Sequence, residues 1–150
     1  ARTMLANARD AYGIPEAEYS IAVITHGHAI QGLFRAEIWR RFALGEFYKV
    51  NEPGAGTPAT RNIYLQPQDS EPADAVVPDL MRRGVTFVVC NVAVKNLAKK
   101  LAPAGTSPDP IRDELAGGLL PGTVLVPDVF VSMQRAQKRG LAYIFTDRSR

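Results

Sequence analysis

Residues 85–102 read VTFVVCNVAVKNLAKKLA. The first six, Val85 to Cys90, form a β-branched and aromatic run that is apolar almost throughout. A strand covered on both faces of a parallel sheet has this composition, whereas a half-exposed strand alternates. Asn91 is a residue type that caps helices, and Val94, Leu97, Ala98 and Leu101 then recur at helical spacing, which predicts a helix from Val92 to Ala102. A buried-type strand running straight into an amphipathic helix is how a crossover between parallel strands begins.

The flanking sequence repeats the alternation. Ser20 to Thr25 is a second short apolar strand, Thr123 to Val126 a third, and Leu141 to Phe145 a fourth. Arg2 to Tyr12 reads as a helix stopped by Gly13. Ile30 to Phe42 reads as one amphipathic helix, with Ile30, Leu33, Phe34, Ile38, Trp39 and Phe42 on its buried face. A short helix is expected to end at Arg82-Arg83-Gly84. Asp109-Pro110 opens another, running to Leu115. Asp128 to Arg139 carries Val129, Phe130, Met133 and Ala136 inward, and Asp147 to Arg150 is a polar tail. From Glu46 to Ala73 no period is visible and prolines and glycines are frequent, so a long loop is expected, with a short extended piece at Ile63–Leu65. The expected fold is a single α/β domain over residues 1–150, three-layered α/β/α, with a mostly parallel sheet.

Composition narrows the function. The chain has 150 residues, 46% of them hydrophobic and 22% charged, which excludes disorder and fits one ordinary domain. No apolar run approaches the roughly 20 residues of a transmembrane helix. The net charge is +3, and the basic pairs Arg40-Arg41, Arg82-Arg83 and Lys99-Lys100 fit solvated helix ends better than a nucleic-acid stripe. A single cysteine excludes an internal disulfide and a multi-cysteine metal site. Residues 54–59, GAGTPA, loosely match a dinucleotide fingerprint, but no strand precedes them and Pro58 interrupts, so no cofactor is expected. The carboxylate pairs Glu16/Glu18 and Asp113/Glu114 read as solvated charge.

Ligands of such sheets bind at the strand carboxyl ends. Those ends are Thr25-His26-Gly27-His28, Cys90-Asn91 and Pro127-Asp128, so both histidines and the only cysteine fall there. Cys90 at a strand-to-helix junction is placed to become a thiolate, with His26 beside it as a base. Thr25, His28, Asn91 and Pro127 are the candidate substrate contacts. Two histidines fall short of a closed metal site, and no metal is expected within the chain. Against this stands the plainer reading that Cys90 is a small buried hydrophobe.

The order of the pieces is itself informative. A strand ending in THGHAI is followed by the aromatic stretch EIWRRFALGEF, then RRGVTFVVCNVAV, then ELAGGLLPGTVLVPDVFVSMQRAQKRGLAYI. Together they resemble the DsrE/DsrF-like family, in particular a subgroup often made with a twin-arginine export signal. The resemblance runs from about Leu5 to Ile144. It implies a three-layer α/β/α domain, a homo-oligomer (trimer or hexamer), a periplasmic setting with the cytoplasm as the alternative, and a sulfur relay in which the strand-end cysteine, here Cys90, carries a persulfide between donor and acceptor proteins. Relatives usually begin with a strand before the first helix; this sequence begins at Ala1, already in that helix, so the expectation is that something precedes it. The function expected is therefore a sulfur carrier or sulfurtransferase-like protein using Cys90. The alternative is a non-enzymatic oligomeric binding or assembly module with an inert Cys90, its partner contact formed by residues 46–67. A third option is a small-molecule or metal binder using His26 and His28.

Overall fold

The computed structural model describes residues 1–67, 74 and 76–142. Three strands, β1 (Ala22–Thr25), β2 (Thr86–Cys90) and β3 (Val124–Val126), lie in the order β1-β2-β3 and are all parallel. Ala22 pairs with Thr86 and Thr25 with Val89; on the other side Val88 pairs with Val124 and Cys90 with Val126. The fold is α/β, as its alternating pattern predicts. No described helix is long and apolar enough to cross a membrane.

Helices account for the rest of the framework: α1 (Arg2–Tyr12), α2 (Ala36–Arg41), α3 (Leu44–Tyr48), α4 (Val77–Arg82), α5 (Asn91–Leu101), α6 (Asp109–Gly117) and α7 (Val129–Gln137). Three of them have a plain local cause. Gly13 closes α1 in the left-handed region at φ 64°, which glycine adopts without strain. Pro78 sits in the first turn of α4, where its missing N–H costs nothing. The Asp128 carboxylate caps α7, accepting from the N–H groups of Phe130 at 2.7 Å and Val131 at 3.1 Å.

β2 is the central strand, and Phe87, Val89 and Cys90 on it are buried. The buried cluster around it includes Leu5 of α1, Trp39 of α2, Val94, Leu97 and Ala98 of α5, Leu115 of α6 and Val129 of α7. α5 packs against both β2 and α6. The strand-then-helix reading of residues 85–102 is therefore the centre of the molecule.

Several expectations are corrected. Ile30–Phe42 is not one helix: a 3₁₀ helix covers Gly27–Leu33, the chain is extended at Phe34 and Arg35, and α2 starts only at Ala36. The cause is non-local. Phe34 makes an antiparallel bridge with Leu119, the Arg35 N–H donates to the Gly118 carbonyl at 2.9 Å, and the Leu120 N–H to the Leu33 carbonyl at 2.8 Å. The apolar face survives the break, since Ile30, Leu33, Phe34, Ile38 and Trp39 are all buried. The stretch after Glu46 is more ordered than a loop: α3 runs to Tyr48, Asn51 bridges Pro58, and Ile63–Leu65 is a 3₁₀ turn rather than extended. Asn62 explains that turn. Its side chain, almost wholly buried, accepts from the Tyr64 N–H at 3.0 Å and donates to the carbonyls of Gly32 and Phe34 at 3.0 and 2.6 Å.

At the far edge, β3 leaves Val124 and Leu125 exposed, and Phe130, expected inward, is 54% exposed on the first turn of α7. Leu141 and Ala142 are not in a strand; the remainder of the expected fourth strand, 143–145, lies outside the described residues, as does the tail from 147.

Glu16 is no idle surface charge. Arg83 donates to it from Nε at 2.9 Å and from Nη2 at 2.6 Å, and reaches Asp74 at 3.4 Å, while Arg2 of α1 binds Asp74 at 2.7 Å. The Arg83 guanidinium, by hydrogen bonding, holds the Glu16 carboxyl below its ordinary value of 4.5, and Arg2 does the same to Asp74. A depressed carboxylate contributes stability that is fully present above its unfolded value and is lost as pH falls through its folded value. Acid is therefore expected to loosen this junction below about pH 4.5. Urea midpoints taken at about pH 6 and about pH 3 should differ less for Arg83→Met than for the wild type. An unchanged difference would show that the network carries no acid sensitivity.

Candidate functional site

The paired strands bring the expected carboxyl ends together. Thr25 stands opposite Val89, so His26 and Cys90 each take the next position along neighbouring strands. Side-chain burial then separates them. His26 and His28 are exposed, whereas Cys90 has 0% exposure and belongs to the central buried cluster. β2 runs into α5 with no linking residue, so Cys90 itself occupies the N-cap position and Asn91 is already helical. Asn91 therefore does not cap the helix as its residue type suggested, and its Oδ1 is shielded with no hydrogen-bond partner among the described residues.

The histidines line a cleft of about 200 Å³ at the carboxyl end of β1. Three elements build it. The turn after β1 supplies His26 and His28, with Gly27 at φ 57° between them. α3 supplies Phe47 and Tyr48. α5 supplies Ala93, Asn96, Leu97 and Lys100, whose spacing puts them on one helical face. The His28 ring meets Tyr48 edge-on at 5.3 Å, and the His26 ring meets Phe130 at 5.2 Å. Burial pushes the Tyr48 phenol up to about 12, further above physiological pH, where it is neutral like any tyrosine and can donate a hydrogen bond. Sequence reasoning missed Tyr48, Asn96 and Lys100. The i, i+4 relation of Asn96 and Lys100 on α5 was the available signal, but only the packing of α3 shows where it points.

The remaining candidates go elsewhere. Thr25 is buried, donates its hydroxyl to the Val88 carbonyl at 3.0 Å and lines a separate, mostly apolar cavity of about 350 Å³ with Leu33, Tyr64, Val77 and Phe87. Pro127 is exposed and lines neither space. Among the described residues no three or more His, Cys, Asp or Glu side chains stand together as metal ligands.

Comparison of the chain with protein-family models, with curated proteins and with solved structures finds no match.

Proposed function

We propose that this is a DsrE/F-like domain that acts as a small-molecule binding module, holding its ligand in the cleft between the turn after β1 and α5, with Cys90 serving the core. The observation that carries this reading is the gathering of His26, His28, Tyr48, Asn96 and Lys100 around one space at a strand carboxyl end, where sheets of this kind take ligands. The family part rests on the order of sequence pieces. With it come a homo-oligomer, trimer or hexamer, and a periplasmic setting. Tyr64, 40% exposed within the 46–67 region, favours that region as the contact between copies.

A second reading keeps the sulfur relay, with His26 as the base, and its support is the position of Cys90 at the N-cap of an eleven-residue helix, where the dipole favours an anion. It requires the Cys90 sulfur to emerge, because a sulfur with no exposure cannot attack a donor. Incubating the folded protein with polysulfide and weighing it intact separates the two. The binding-module reading expects no added sulfur until denaturant is present. Stable addition of one sulfur atom at Cys90 of the native protein would establish the relay instead.

A further inference from the structure

The chemistry of the same cleft goes further than its location. The polar groups facing it are two imidazoles, a neutral phenol, a carboxamide and an ammonium, and no carboxylate lines it. Lys100, like the other described lysines, makes no ion pair among the described residues, and the side chains of Asn96 and His28 make no hydrogen bond there. The cleft therefore holds one cation, Lys100 in the last turn of α5, and no anion. The apolar part of the lining is Phe47 of α3 with Ala93 and Leu97, which lie beside Asn96 and Lys100 on the same face of α5. The volume of about 200 Å³ suits one ring or a short chain.

We propose that the ligand is a small organic anion, a carboxylate with a compact apolar body, whose charged end meets Lys100 and Asn96 and whose body lies against Phe47 and Leu97. This rests on the binding-module reading and adds the ligand's charge to it. The physical basis is that a hydrogen bond to an ionised group is about twice as strong as a neutral one, while the apolar part of the lining gains from covering its surface. Phosphate, which lacks the apolar body, should bind more weakly than an aromatic carboxylate.

Benzoate and its neutral isostere benzamide test the charge directly, with phosphate as a third probe. In calorimetric titrations of the wild type, benzoate should bind about tenfold more tightly than benzamide. Lys100→Met should weaken benzoate more than benzamide and so bring the two affinities closer together, and added salt should weaken benzoate more than benzamide. Lys100 is exposed at the end of α5, so the variant should fold, and an unchanged thermal midpoint checks that it does. Equal affinities for benzoate and benzamide would overturn the anion assignment and leave the binding site standing. Failure of all three probes to bind would remove both. Phosphate binding as tightly as benzoate would overturn the part assigned to the apolar body.

Discussion

Trp39→Ala is expected to cost about 3–5 kcal/mol of folding stability, the range for removing a large aromatic side chain from a packed core. Trp39 has no exposure, lies in the central cluster, and donates its indole N–H to the Gln31 carbonyl at 3.0 Å. It also meets the Tyr64 ring edge-on at 6.2 Å. The 3₁₀ helix before Phe34 and α2, adjacent in the chain, and the distant turn at Ile63–Leu65 thus converge on one side chain. Against a typical total of roughly 5–15 kcal/mol, the loss should bring the domain close to unfolding. Trp39→Phe keeps a ring and loses the indole donor, so it should cost less. Urea denaturation followed by circular dichroism reads both. A loss under about 1 kcal/mol for Trp39→Ala would mean that this convergence does not hold the fold.

Gly45→Ala should cost about 3 kcal/mol, although alanine is the better helix former. Gly45 is buried at the start of α3, and a Cβ built on it would lie 2.1 Å from the carbonyl oxygen and 2.6 Å from the nitrogen of Ala59. Both obstacles are backbone. They are also fixed, because the Val50 N–H donates to the Gly45 carbonyl and the Ala59 N–H to the Val50 carbonyl, each at 2.8 Å. The methyl can enter only if the whole 50–59 connection moves off α3. Because Phe47 and Tyr48 of α3 line the cleft, the substitution should also weaken ligand binding. Thermal unfolding and a benzoate titration on the same preparation would show the two losses together. A stabilised variant would show that the close approach is not real.

Local sequence was a good guide where local forces decide. Val85–Cys90 and the helix after it were legible because a β-branched run and a helical period need no distant partner to be seen. The glycine stop at Gly13 was legible for the same reason. The reading failed where residues far apart in the chain meet. Nothing near Phe34 announces that Leu119 will pull it into an extended bridge, so a continuous helical period concealed a break. Glu16 reads as solvated charge until Arg83, 67 residues away, is seen to grip both its oxygens. The site was half legible. The coincidence of His26 and His28 with a strand end pointed to the cleft, but strand position alone does not say which way a side chain faces. Cys90, on the same edge, turns into the core instead. The exposed Phe130 follows from its place in the first turn of a helix whose burial begins and nearly ends with Val129.

The central claim is that this domain works through a ligand held beside His26 and His28. Amide chemical-shift mapping with a library of small soluble fragments tests it most directly. The account predicts that ligands move the amide signals of His26, Gly27, His28, Asn96 and Lys100 together, while those of Val77 and Phe87 at the apolar cavity stay in place. Shifts confined to the apolar cavity, or a library with no ligand that touches the cleft, would contradict it.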